Sequence, residues 1–132
     1  MNGIGVDLFR ISRIRETLKR RGESVLHKIY TKNELEEAKN SGKFVEDLAV
    51  KFAAKEAVLK AVGLGLHNNL KLTELEILRD SSGKPIVKLS PNLSKLLSSK
   101  GCRPTKILLS VSYDGKYAIA FCICMSQSKD RR

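Results

Sequence analysis

The chain contains no tryptophan, and its aromatic residues amount to 5% of the total. That leaves a stacking platform for single-stranded nucleic acid poorly supplied, since such platforms need a row of aromatic faces. There are two histidines, His27 and His67, each without a neighbouring ligand, so a zinc site is not expected. Three cysteines, Cys102, Cys122 and Cys124, have no metal-ligand spacing. Their odd number argues against a disulfide framework. Cys122 and Cys124 sit in an apolar stretch and read as small buried hydrophobes. No apolar run approaches the about 18 residues of a membrane-spanning helix. Asp7 interrupts any signal-peptide pattern, so a cytoplasmic location is the expectation.

Acidic residues are also in short supply. Lys and Arg number 25 against 14 Asp and Glu, a formal net charge of +11. Such an excess predicts an acidic partner: nucleic acid, a membrane surface, a phosphorylated ligand or an acidic protein. With 132 residues and 42% apolar content, the chain is long enough for one domain with a modest core. We expect that domain over residues 1–126, followed by a basic, disordered tail over 127–132.

The elements can be placed from periodicity and punctuation. Ile4, Val6 and Leu8 alternate with Gly3, Gly5 and Asp7, which predicts a strand with the apolar set on its buried face. Ile11, Ile14 and Leu18 follow at helical spacing, with Gly22 as stop. Arg10, Arg13 and Arg20 are expected near one another on that helix. Thr31-Lys32-Asn33-Glu34 fits a capping box, and Asn40 to Lys43 reads as a turn. A longer helix is predicted from about Glu46 to Val62, with Leu48, Phe52, Leu59 and Val62 as its buried stripe. Leu75–Arg79 and Ile86–Leu89 read as a hairpin around Asp80-Ser81-Ser82-Gly83. Ser90-Pro91 opens a helix with Leu93, Leu96 and Leu97 inward and Gly101 as stop. Ile107 to Ser112 and Tyr117 to Cys124 read as strands around Asp114-Gly115. Two hairpins interleaved with helices predict an α+β fold with a mainly antiparallel sheet.

Two places carry chemistry. On the long helix Phe52, Glu56, Lys60 and Gly63 recur at i, i+4, i+8 and i+11, so they share a face. Glu56 and Lys60 fit an exposed ion pair, or a carboxylate and an ammonium serving one site. Gly63 and Gly65 directly after Lys60 let a phosphate or a backbone come close. Asp7 fits a cap for the following helix, or a second carboxylate for the same site. Two carboxylates suit Mg²⁺, which keeps waters and phosphate oxygens in its shell.

Gly3-Ile4-Gly5-Val6-Asp7 with Ile11-Ser12-Arg13-Ile14, then Phe52-Ala53-Ala54-Lys55-Glu56-Ala57-Val58-Leu59-Lys60-Ala61-Val62-Gly63-Leu64-Gly65, resembles the holo-acyl-carrier-protein synthases. These are short members of the 4′-phosphopantetheinyl transferase superfamily. Ile29-Tyr30-Thr31 with Glu34, Gly83-Lys84-Pro85, and Ser110-Val111-Ser112 ahead of Tyr117-Ala118 extend the likeness over residues 3–124. It implies transfer of the 4′-phosphopantetheine arm of coenzyme A to a serine of apo acyl carrier protein. Adenosine 3′,5′-bisphosphate is released, and the reaction serves fatty acid biosynthesis. Asp7 and Glu56 would hold Mg²⁺. Lys60 would contact the pyrophosphate and help the leaving group. Glu56 or a metal-bound water would take the serine proton.

The resemblance also implies a homotrimer with active sites between subunits. Gly63 and Gly65 would lie near the coenzyme A phosphates. Lys84, Pro85, Ser110, Ser112 and Tyr113 would lie toward the nucleotide, supplied by an adjacent subunit. Arg10, Arg13 and Arg20 would receive the acidic helix of the carrier protein. Neither nucleic acid nor membrane is then a partner. Two positions depart from the family pattern. Tyr113 stands where a histidine is common, and tyrosine does not titrate near neutral pH. Lys51 stands where an arginine is common, keeping the charge without the bidentate fork. The rival from another class is a non-catalytic basic module for RNA or another polyanion. It would explain the charge but not the two carboxylates.

Overall fold

The computed structural model describes residues 2–64 and 70–127. The expected glycine at Gly65 and residues 128–132 of the expected tail lie outside them. Two aspartates close the two hairpins. Asp114 Oδ1 accepts from the backbone N–H of Lys116 and of Tyr117, each at 2.7 Å. This turns the chain between β4 (Arg103–Tyr113) and β5 (Tyr117–Gln127). Strand β1 (Gly3–Arg10) pairs antiparallel with β5, placing Asp7 opposite Ala120. The resulting sheet has the order β1-β5-β4. Asp80 does the same work between β2 (Leu75–Arg79) and β3 (Pro85–Leu89), accepting from Ser82 N at 2.9 Å and Lys84 N at 3.0 Å. Gly83 takes a left-handed φ of 89° there, which glycine adopts without steric cost. The fold is α+β with antiparallel sheets, as the sequence predicts.

Among the described residues there are four α-helices, two of them with side-chain N-caps. Helix α1 (Ser12–Arg21) ends at Gly22. Helix α2 (Lys32–Asn40) has the predicted capping box: Glu34 N donates to Thr31 Oγ1 and Thr31 N to Glu34 Oε1. Helix α4 (Pro91–Ser99) is capped by Ser90, which accepts from Leu93 N at 3.0 Å. Leu93 and Leu97 are buried in the core, and Leu96 packs against it half-buried. The long helix α3 (Phe44–Ala61) begins two residues before the expected start. Strand β4 begins at Arg103 rather than Ile107, and β5 continues to Gln127, into the expected tail. Two short 3₁₀ turns, Glu23–Lys28 and Leu72–Glu74, have no counterpart in the sequence reading. No helix among the described residues is long and apolar enough to cross a membrane.

The core corrects two expectations. Ile4, Val6 and Leu8 are 64%, 49% and 62% exposed; the face of β1 turned inward is the other one. The reason is the approach of α3. A Cβ on Gly3 would stand 1.8 Å from Ala61 O, and one on Gly5 would stand 2.0 Å from Ala57 O. Helix and strand thus touch backbone to backbone, with no room for side chains at either position. Helix α3 is also not amphipathic. It packs against β1, β5, β4, α1, α2 and β2, so residues on most of its sides are buried, Ala49, Val50, Ala53, Ala54, Ala57, Val58 and Ala61 included. Phe52 and Val62, expected in the buried stripe, are only half-buried. Below α3 the inward residues of β5 are Ala118, Ala120, Cys122 and Cys124. Burial pushes the Cys122 thiol up to about 11, consistent with an inert packing role.

Two lysines of α3 are buried and paired. Lys55 Nζ donates to the carbonyls of Ile29 and Leu72 at 2.8 Å each and pairs with Glu34 at 2.8 Å. Lys51 Nζ donates to Glu37 at 2.6 Å and Asp47 at 2.8 Å, and Arg79 closes the cluster onto Asp47 and Glu37. Removing one member would strand an unpaired charge in the interior.

Candidate active site

The face of α3 that escapes burial is the one carrying Phe52, Glu56 and Lys60. It meets the inward face of β1 at Asp7, two residues beyond the Gly5 contact. The two elements carrying the predicted carboxylates are therefore neighbours. Lys60 Nζ donates to the Val6 carbonyl at 2.9 Å and lies 3.5 Å from Asp7 Oδ1. Its side chain is 55% exposed, against 17% for Asp7. Glu56 Oε2 is buried and has no hydrogen-bond partner among the described residues.

The electrostatics record the crowding. Burial raises the Asp7 carboxyl above its ordinary value, and the charges of Lys60 and Arg13 offset part of that. Burial also raises Glu56, and the Asp7 charge raises it further against the pull of Lys60. Two like charges share one partly dry place, an arrangement costly by itself and suited to a cation. Beside it, Phe9 and Phe52 stack with ring centres 4.5 Å apart. Arg13 covers Phe9, its guanidinium carbon 5.1 Å from the ring centre.

The other predicted residues fall elsewhere. Gly63 ends α3 with φ 82° and open space around it. Ser110 and Ser112 lie across from Phe121 and Ile119, on the sheet face opposite to Asp7. Tyr113, at the end of β4, has Lys43 Nζ 5.7 Å from its ring centre. Lys84 and Pro85 border a groove of about 420 Å³ between β3 and β4. Arg20 is exposed near the end of α1. Arg10 is not on the helix: it ends β1 and sits over the Tyr117 ring at 6.0 Å, on the strand face away from Phe9. One chain thus joins Asp7, Glu56, Lys60 and Arg13 but leaves Lys84, Pro85, Ser110, Ser112 and Tyr113 apart from them. Sequence reasoning passed over Lys43 and Arg79. Lys43 lies in a polar turn that carries no signal, and Arg79 is recognisable only through its distant partners Asp47 and Glu37.

The family model of the 4′-phosphopantetheinyl transferase superfamily matches residues 3–122. The chain belongs to this superfamily, among the holo-acyl-carrier-protein synthases. A holo-[acyl-carrier-protein] synthase of Protochlamydia amoebophila is 40% identical over 124 residues, covering 94% of this chain and 98% of that protein. The crystal structure of the synthase from Neisseria meningitidis superposes with a TM-score of 0.84 at 36% identity, covering 94% of this chain and 98% of that one. The synthase–coenzyme A complex from Chronobacterium ammoniagenes superposes with a TM-score of 0.82 at 29% identity, covering 96% and 98%.

For a synthase, the donor set fits a hard divalent cation. Among the described residues no cluster offers three or more His, Cys, Asp or Glu side chains. The Asp7–Glu56 pair offers two carboxylates, which is the number that Mg²⁺ takes when water and substrate phosphate complete its shell. Glu56 Oε2, without a hydrogen-bond partner among the described residues, would be available as a ligand atom.

Proposed function

We propose that the chain moves the 4′-phosphopantetheine arm of coenzyme A onto a serine of apo acyl carrier protein at a site built on Asp7, Glu56 and Lys60. The buried, unpartnered Glu56 Oε2 beside Asp7 carries this reading. Asp7 and Glu56 would hold Mg²⁺. When bound, the metal offsets pyrophosphate charge and polarises the phosphorus. Lys60, held by the Val6 carbonyl, offers its remaining donors to the pyrophosphate and to the departing oxygen. Glu56, or a water held beside it, would accept the serine proton. The serine oxygen bonds to the phosphorus next to the pantetheine arm as the bond to the bridging oxygen breaks. The leaving group is adenosine 3′,5′-bisphosphate.

The docking surface for an acidic carrier is α1, where Arg13 and Arg20 lie two turns apart on one face. Arg13 is also within electrostatic reach of Asp7, so a carrier bound there would present its serine beside Asp7 and Glu56. The site is completed by a second copy of the chain in a trimer. Ile4, Val6 and Leu8 of β1, Ile119 and Phe121 of β5 and Leu108 of β4 make an exposed apolar sheet face, of a kind that marks a protein interface. Ser110 and Ser112 lie on that same face. Together with Tyr113, Lys43, Lys84 and Pro85 they would serve the nucleotide end of coenzyme A in a neighbour's site.

The test is incubation with coenzyme A, Mg²⁺ and an apo carrier protein, followed by intact mass measurement of the carrier. A gain of one phosphopantetheine that disappears with EDTA is the expected result. No gain across several apo carriers with folded enzyme would overturn the reading. Binding of RNA that falls steeply with salt and ignores Mg²⁺ would favour the polyanion alternative.

A further inference from the structure

A second concentration of positive charge lies where β1 ends and the β4–β5 hairpin turns. Arg10, Ser12, Arg15, Gly115, Lys116 and Tyr117 line a cavity of about 390 Å³. Ile11 N donates to Lys116 O at 2.8 Å, which ties the start of α1 to the hairpin and brings the three cations to one place. Arg10 pairs with Tyr117 in the strand register. Both lie beyond the last apolar row, Leu8 with Ile119, on the face of β1 turned away from Asp7.

The lining itself carries three cations and no carboxylate. Two guanidinium groups and an ammonium are joined by the hydroxyls of Ser12 and Tyr117. Arg15 pairs with Glu46 at 3.3 Å, but the pair is exposed, 53% at the arginine, and such surface pairs are readily exchanged. Asp114, the other carboxylate at this corner, has Oδ1 engaged by the amides of Lys116 and Tyr117. The first turn of α1 contains no acidic residue.

We propose that this cavity binds a small dianion of the phosphate class, separate from the transfer site. A tetrahedral dianion offers acceptors to both arginine forks and to the lysine at once. The cavity is wider than a bare ion requires, which also admits the phosphomonoester of a small metabolite. Inorganic phosphate and a phosphomonoester are the two sources of this chemistry.

The experiment uses the full chain without Mg²⁺ or coenzyme A. Inorganic phosphate and glycerol 3-phosphate are titrated separately at ionic strength held constant with sodium chloride, and backbone amide shifts are followed by NMR. Saturable shifts confined to Ser12, Arg15, Gly115 and Lys116 are expected. Arg15→Ala and Lys116→Ala should each weaken binding about tenfold, as expected for loss of one charge-assisted contact. Tighter binding of glycerol 3-phosphate would assign an organic phosphate, and equal binding inorganic phosphate. The double variant should keep its rate of phosphopantetheine transfer. The proposal falls if shifts fail to saturate, if matched sodium chloride reproduces them, or if the double variant binds as well as the parent. It also falls if an acidic carrier protein, but neither phosphate probe, perturbs these amides, or if the double variant loses transfer. Its failure would leave the Asp7–Glu56 reading untouched, because the readout needs neither metal nor coenzyme A.

Discussion

Gly5 and Ala57 meet backbone to backbone, so close that a methyl group on Gly5 would stand 2.0 Å from the Ala57 carbonyl oxygen. This contact is what lets Asp7 on β1 reach Glu56 on α3. Gly5→Ala must therefore push helix and strand apart at the site itself. Overpacking of this kind costs about 1–3 kcal/mol, and the carboxylate pair would open with it. We expect a lower denaturation midpoint together with a weakened Mg²⁺-induced rise in melting temperature. A Gly5→Ala protein with parental stability would show that helix and strand do not meet backbone to backbone.

Asp7 and Glu56 both have raised carboxyl pKa values, chiefly through burial. A carboxyl raised in the folded state favours folding when protonated. Its stabilisation is complete below the unfolded value and is lost as pH rises through the folded one. Without metal, the ionised pair therefore weighs against the fold at neutral pH. Glu56→Gln should raise the metal-free melting temperature at pH 7 and abolish its response to Mg²⁺. Transfer should fall on the order of a thousandfold or more, since metal stabilisation of the transition state is worth several kcal/mol. Mg²⁺ affinity of the parent should climb with pH above the ordinary carboxylate range. A glutamine variant that is less stable without metal, or that keeps its Mg²⁺ response, would contradict the assignment.

Lys60 differs from these because it is half-exposed, so the attraction it lends Asp7 and Glu56 is screened by solvent and small. Lys60→Ala should lower kcat about a hundred- to a thousandfold, the usual effect of removing one donor to a developing anion. Melting temperature should hardly change. A variant that loses stability and activity in proportion would make Lys60 a structural residue.

The turns, caps and fold class were legible because their chemistry is local. Thr31 finds Glu34 three residues on, Ser90 finds Leu93, and Asp80 and Asp114 find amides two to four residues on. The wrong face of β1 has a physical cause. Alternation says only that one face is apolar, not that this face is the one buried within the chain. Here glycines admit α3 on the other face, and the apolar set is left for a partner. Lys51 and Lys55 look like solvated helix charges because their partners Glu34, Glu37, Asp47 and Arg79 meet them only after folding. In the site, Asp7, Glu56 and Lys60 were named from spacing and likeness together. Their meeting depends on the Gly3 and Gly5 contacts, which the sequence hints at only through the repeated glycine.

Arg13 separates carrier binding from coenzyme A binding. Its guanidinium lies over Phe9 and within electrostatic reach of Asp7, on the helix that would face an acidic partner. Arg13→Glu should raise the KM for carrier protein far more than the KM for coenzyme A. The carrier KM of the parent should also rise with salt, since exposed charges are screened over about 8–10 Å near physiological ionic strength. Equal effects on both KM values would remove Arg13 from the docking surface.

The open sheet face makes the last expectation. Val6 lies opposite Phe121 in the register and Leu8 opposite Ile119, so each apolar row crosses from β1 to β5. None of these four side chains belongs to the core, and their exposure in one chain has no benefit to that chain. Phe121→Asp puts a charge at the middle of the face without disturbing Ala120 or Cys122 beneath it. Such a charge would be stranded if copies pack there, at a cost of several kcal/mol per buried ion. Sedimentation should show the parent as a trimer and the variant as a folded monomer with unchanged helix content. Because Ser110, Ser112 and Tyr113, proposed for the nucleotide end, do not join Asp7 and Glu56 in one chain, the monomer should also lose coenzyme A affinity while keeping the Asp7–Glu56 pair intact. A monomeric parent, or a monomeric variant with full coenzyme A affinity, would mean that one chain completes its own site.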